Sequence, residues 1–234
     1  MFVILIYSLI NFIYGDANFS ELVMHGKYQV GHTEFFTTKE GVCVSVYYPM
    51  DRSEYARILK KDKSRNTLWL RYGRRSLKGV SLSMAEFYSS HPPTCLVRYF
   101  GRVRMNTVTN GTLSHDFHEA SEDNERAERL DKLKLIPILM LHGLCGSRTS
   151  QSGSCKDLAS HGYIVFSIDH FDGSAHYSRR KDGLEKYWST EQNLTEVKFR
   201  QRQLRIRKKE AIDLIDEIYS KDFLQRKLAF GASA

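Results

Sequence analysis

Two short stretches combine residue types that could carry acyl-transfer chemistry. The first is His142-Gly143-Leu144-Cys145-Gly146, directly after the apolar run Leu135 to Leu141, LIPILML. A strand that runs into a glycine-bearing turn and then a helix leaves backbone N–H groups without partners, and such groups can stabilise a developing oxyanion. A tight turn with no chemical role has the same sequence signature. The second stretch is Gly231-Ala232-Ser233-Ala234, after Lys227 to Phe230, which reads as the start of a buried strand. A serine nucleophile sits on a sharp turn of pattern G-x-S-x-G, because the serine must protrude while a helix packs closely behind it. The chain matches the first four positions of that pattern, with Ser233 as the nucleophile.

Other reactive side chains fit less well. Cys145 follows a strand, but Ser147 stands where a cysteine turn of the form G-x-C-x-G needs its second glycine. Ser147, Ser150, Ser152 and Ser154 suit the start of a helix. Asp169, His170 and Asp172 precede Ser233, whereas a nucleophile on such a turn is followed by its acid and then its histidine. These three residues are expected to form a hydrogen-bonded network that holds the loop after the second buried strand.

The elements that must position these groups follow from the apolar pattern. Leu135 to Leu141 and Tyr163 to Ile168 read as strands buried on both faces, and Lys227 to Phe230 as the start of a third. Thr149 to His161 reads as a helix stopped by Gly162. A long helix is expected from Glu191 to Tyr219. Its apolar face would comprise Leu194, Val197, Leu204, Ala211, Ile215 and Ile218, opposite a basic face of Lys198, Arg200, Arg202, Arg205, Arg207, Lys208 and Lys209. Strand, helix, strand, helix, strand predicts an α/β fold with a mostly parallel sheet. Upstream, residues 26 to 49 are strand-rich, with Val42, Val44 and Val46 alternating in a strand ended by Pro49. Residues 51 to 66 read as a solvated loop or helix, and residues 104 to 131 as an exposed helix or surface insertion. Residues 68 to 103 carry no clear pattern.

The composition is that of a globular chain of 234 residues, 41% apolar and 26% charged, with a formal net charge of +8. That charge favours anionic surfaces. The basic stretch lacks the aromatic interleaving of a nucleic-acid groove, so no nucleic-acid partner is expected. Residues 1–17 contain a short apolar run followed by the small residues Gly15 and Ala17, as in a secretory signal. Sequons lie at Asn18, Asn110 and Asn193, and the four cysteines (Cys43, Cys95, Cys145 and Cys155) form no C-x-x-C pair.

The string LMLHGLCGSRTSQSGSCKDLASHGYIVFSIDHFDGSA resembles the plasma-type and intracellular type II platelet-activating-factor acetylhydrolases. The markers are HGL with Arg148-Thr149, Asp157 to Gly162, Asp169-His170, Asp172 and Ser174-Ala175. Gly26, Val30-Gly31, Thr33 and Val46 to Pro49 are similar as well. The resemblance implies an α/β-hydrolase fold and hydrolysis of short sn-2 acyl chains of phospholipids, without calcium, metal or cofactor. It makes Ser233 the nucleophile and the backbone N–H groups of Leu144 and Ala234 the oxyanion donors.

The departures are Cys145-Gly146 after HGL, Ala232 beside the serine, and the lack of a following glycine, acid and histidine. The chain is therefore expected to be an inactive N-terminal fragment: a signal (1–17), a strand-rich part (18–131) and the first half of the hydrolase core (132–234). The expected protein is secreted, or else cytoplasmic and membrane-associated, with phospholipid as substrate and a membrane or lipoprotein surface as partner. A non-catalytic lipid-binding remnant and a general carboxylesterase are the competing readings.

Overall fold

The computed structural model describes residues 24–88, 103–117, 135–189, 196–220 and 223. The expected signal, the third buried strand at 227–230 and the serine turn lie outside them.

Strands β1 (Gln29–Phe36) and β2 (Cys43–Met50) form an antiparallel hairpin in which Phe36 faces Cys43 and Gln29 faces Met50. Every residue of β2 is buried, so the alternation at Val42 to Val46 marks a central strand covered on both faces. Pro49 lies within this strand rather than ending it. The next neighbour, β6, pairs only with Val44 to Tyr47, so Pro49 sits beyond the doubly paired stretch, where its missing N–H is tolerated. Helix α1 (Arg52–Lys61) bears out the solvated reading of this segment, and β3 (Asn66–Leu68) follows a single 3₁₀ turn. The patternless stretch contains helix α2 (Arg74–Tyr88). Residues 104–109, expected to begin a polar insertion, form strand β4 (Arg104–Thr109), with Met105, Thr107 and Val108 buried.

Strand β5 (Ile136–Leu141), helix α3 (Ser152–Ser160) and strand β6 (Tyr163–Ile168) make the expected crossover, and β5 pairs with β6 in parallel. Gly162 ends α3 with φ of 103°, a conformation open to glycine at little cost. A small hairpin, β7 (Tyr177–Arg179) with β8 (Glu185–Tyr187), precedes the long helix α4 (Glu196–Ile218).

The main sheet has the order β3-β4-β1-β2-β6-β5. Strands β4, β1, β6 and β5 run in one direction and β3 and β2 against it, which makes the sheet mostly parallel, as expected. Strands from 18–131 and from 132–234 thus share one sheet. Val44, Val46, Ile164, Phe166 and Ile168 pack on one face with Leu214 and Ile218 of α4, whereas Tyr47, Met105 and Val165 pack on the other with Cys155 and Ala159 of α3. The result is an α/β/α layering, in which each fully buried large apolar side chain contributes about 1.5–3 kcal/mol.

Helix α4 departs from its predicted orientation. Val197, Leu204 and Ile215, placed on the buried face by their spacing, are 67%, 62% and 44% exposed. Ile218 is buried as predicted, and the rest of the buried face carries Phe199, Gln203, Glu210, Asp213, Leu214 and Glu217. Its polar members bond to loops under the helix, so hydrogen bonding sets the helix rotation together with a few apolar anchors.

Candidate active site

The turn after β5 is fixed from several sides. His142 is buried, with Nδ1 2.7 Å from the Gly143 carbonyl and Nε2 3.2 Å from the His170 amide nitrogen. The His170 N–H can only donate, so Nε2 accepts and the proton sits on Nδ1. Burial pushes the His142 pKa down to about 4, which keeps the ring neutral. The Cys145 N–H donates to the Ser174 carbonyl at 2.7 Å, and the Gly146 N–H to the Gly143 carbonyl at 3.2 Å. Leu144 lies between them with a half-exposed side chain, and among the described residues its N–H meets no acceptor. An N–H left open at such a turn can receive a carbonyl oxygen as it gains charge. Cys145 adopts φ of 57°, a left-handed conformation unusual for a side-chain-bearing residue. Its N–H is already committed to Ser174.

The loop after β6 is the predicted network. Asp169 accepts from the Arg148 amide at 2.6 Å and also pairs with the Arg148 guanidinium. That guanidinium reaches Glu34 Oε1 at 2.9 Å and lies 4.7 Å from the Tyr72 ring centre. Burial raises the Glu34 pKa, but Arg148, together with His32 and Arg71, outweighs it and holds the carboxyl at about 2. His170 Nδ1 bonds to Glu210 Oε2 at 2.8 Å, and the Phe171 amide donates to Glu210 Oε1 at 3.1 Å. Asp172 accepts from the Ser174 amide at 2.9 Å and from Arg207 Nε at 2.9 Å. Each of the three is bonded within this network, and among the described residues only His170 Nε2 of their ring and carboxylate atoms is buried without a partner.

Arg207 and Glu210 are the site residues that sequence reasoning missed. Arg207 was assigned to the basic outer face, yet it turns inward to His142, Asp172 and Ser174. The available signal was an arginine and a glutamate three apart, which places them on the same helix face. The other basic residues of that set, Lys198, Arg202, Arg205, Lys208 and Lys209, are exposed as predicted, and Arg200 is intermediate. Both tryptophans touch this region. Trp69 Nε1–H donates to the Thr149 carbonyl at 2.7 Å, and the Trp188 amide donates to the His176 carbonyl at 3.3 Å. Ser233 and Ala234 lie outside the described residues.

Residues 18–222 match the family described as platelet-activating factor acetylhydrolase, isoform II. The chain belongs to this family. It is similar to the platelet-activating factor acetylhydrolase of Bos taurus, with 28% identity over 211 residues, and to that of Canis lupus familiaris, with 29% identity over 214 residues. Each match covers 83% of this chain and 41% of the relative, so the chain spans about two fifths of the length of these curated relatives. Among solved structures, a ferulic acid esterase from Streptomyces cinnamoneus aligns with a TM-score of 0.47 and 15% identity, over 83% of this chain and 48% of that one. Both curated relatives bear the name platelet-activating factor acetylhydrolase. In this member of the platelet-activating factor acetylhydrolase family, the matched segment includes both clamped loops.

Proposed function

We propose that this chain supplies the oxyanion side of a calcium-independent serine esterase of the α/β-hydrolase fold, which removes short sn-2 acyl chains from phospholipids such as 1-alkyl-2-acetylglycerophosphocholine. Ser233 is the nucleophile, and the N–H groups of Leu144 and Ala234 receive the carbonyl oxygen. The observation that carries this reading is the open Leu144 N–H on a turn that is held by the bonded His142 ring, Gly143 carbonyl, Cys145 N–H and Gly146 N–H. Donors held in advance where charge develops lower the barrier, and loss of one typically reduces kcat about 10²–10³-fold. Ser233 attacks the ester carbonyl, its proton passes to a base, the alcohol leaves, and water releases the acid from the acyl-enzyme.

Residues 1–17 act in this reading as an export signal. The exposed Lys198, Arg202, Arg205 and Lys208 of α4 draw the protein toward anionic lipid, each by about 1 kcal/mol when close to the surface. The product of the complete reading frame tests the catalytic proposal. It should release acetate from the acetyl phospholipid in the presence of a chelator, far faster than it cleaves long sn-2 chains, and Ser233→Ala should abolish the release. Undiminished activity in Ser233→Ala would remove the serine mechanism.

A further inference from the structure

We infer that Arg207 is the positioning residue of the oxyanion turn: its guanidinium joins the His142 carbonyl to the Asp172–Ser174 loop and thereby sets the direction of the Leu144 N–H. The inference rests on the serine-esterase reading above. Arg207 Nη1 donates to the His142 carbonyl at 2.8 Å, Nε donates to Asp172 Oδ2 at 2.9 Å, and Nη2 bonds to the Ser174 hydroxyl. Ser174 completes the circuit, since its own carbonyl accepts the Cys145 N–H at 2.7 Å.

The geometry explains why this grip matters for Leu144. Peptide groups are planar, so a turn moves only by rotation between them. The His142 carbonyl belongs to the peptide before Gly143, and the Cys145 N–H to the peptide after Leu144. Both are fixed through Arg207. The peptide that carries the Leu144 N–H lies between these two and is denied independent rotation. Glu210, one turn further along α4, holds the His170 ring and the Phe171 amide on the same buried face. The Arg207 side chain is only 16% exposed and its charge is matched by the buried Asp172, so the residue acts by placement rather than by its field at the oxyanion. A lysine could not replace it, because one ammonium lacks the planar fork that meets three acceptors at once.

Leu144-Cys145 is the one Leu-Cys dipeptide in the sequence. Protein labelled with carbonyl-¹³C leucine and ¹⁵N cysteine therefore gives a single amide correlation, from Cys145. In Arg207→Gln, hydrogen exchange of this amide should quicken at least ~10-fold and its resonance should move, while the β5–β6 ladder amides keep their protection. Arg207→Lys should recover only part of the protection. In the product of the complete reading frame, Arg207→Gln should lower kcat for the acetyl ester by about 10–100-fold and leave KM within about twofold. An unchanged Cys145 amide in Arg207→Gln would overturn the inference. If Arg207→Gln loses the ladder amides, Arg207→Lys makes the same decision. A parent enzyme without esterase activity would remove the function proposed above, and the amide result would still decide whether Arg207 holds the turn.

Discussion

His170 Nδ1 lies 2.8 Å from Glu210 Oε2 with both side chains fully buried, which ties the loop after β6 to the centre of helix α4. The second carboxylate oxygen of Glu210 accepts the Phe171 N–H, so one side chain satisfies two buried donors. Removing it leaves both without a partner.

Glu210→Ala should therefore destabilise the protein by about 3–5 kcal/mol, the range found when one member of a buried pair is deleted. Glu210→Gln, which keeps one acceptor, should lose less. Urea midpoints of the two variants check the order, and a loss below about 1 kcal/mol in Glu210→Ala would show that the pair is not a fastening.

Acid should weaken the fold through its buried histidines. Burial pushes His142 down to about 4 and His32 to about 3, and lowers His176 as well, from an ordinary value near 6.5. A histidine with a depressed pKa binds its proton more readily in the unfolded chain, so its stability contribution is whole above pH 6.5 and disappears as pH falls through the folded value. For His142 this is roughly 3 kcal/mol lost between pH 6.5 and 4. Denaturant midpoints measured across that window should fall with pH, and His142→Gln should flatten the slope. A parent protein with equal midpoints at pH 7 and 4.5 contradicts the expectation.

Gly79 sits in α2 where an added Cβ would lie 2.2 Å from the His176 carbonyl oxygen. Helix propensity alone favours alanine at a helical position by up to about 1 kcal/mol. The contact should reverse that sign, and Gly79→Ala should lower stability by about 1–3 kcal/mol as α2 is pushed off the strand-β7 region. A raised melting temperature would mean that the helix shifts freely.

Cys145→Gly should act in the opposite direction. The left-handed φ of 57° costs a side-chain-bearing residue about 1 kcal/mol that glycine does not incur, partly offset by the greater freedom of glycine in the unfolded chain. A gain of roughly 0.5–1 kcal/mol in the unfolding free energy is expected, and a net loss would indicate that the thiol makes a contact worth more than the strain.

The parallel crossover was legible because its strands are continuous apolar runs and Gly162 marks the end of its helix. Strand β4 was not, because several of its polar residues are bonded to neighbours that the sequence cannot place. Thr109 Oγ1 meets Thr67 Oγ1 at 2.8 Å, and Asn106 Oδ1 meets Asn66 Nδ2 at 3.0 Å. The rotation of α4 was misread for the same reason. Hydropathy puts charged residues outside, whereas Glu210 and Arg207 are matched by partners 40 and 65 positions earlier, His170 and His142. At the site, the turn at 142–146 was visible as a motif, as was the network at Asp169 to Asp172. The residues that brace the turn were hidden, since their role comes from tertiary contact and not from local spacing.

The chain has two tryptophans, and each is bonded to one of the two loops that meet at the candidate site: Trp69 through its indole to Thr149 beyond the turn, and Trp188 through its main-chain amide to His176 after the network. The molecule thus carries its own optical gauge. Indole emission responds to the polarity and hydrogen bonding of its surroundings, so loosening of either loop changes the intrinsic spectrum without any attached dye. Replacing one tryptophan at a time by phenylalanine would assign each part of that signal to its loop.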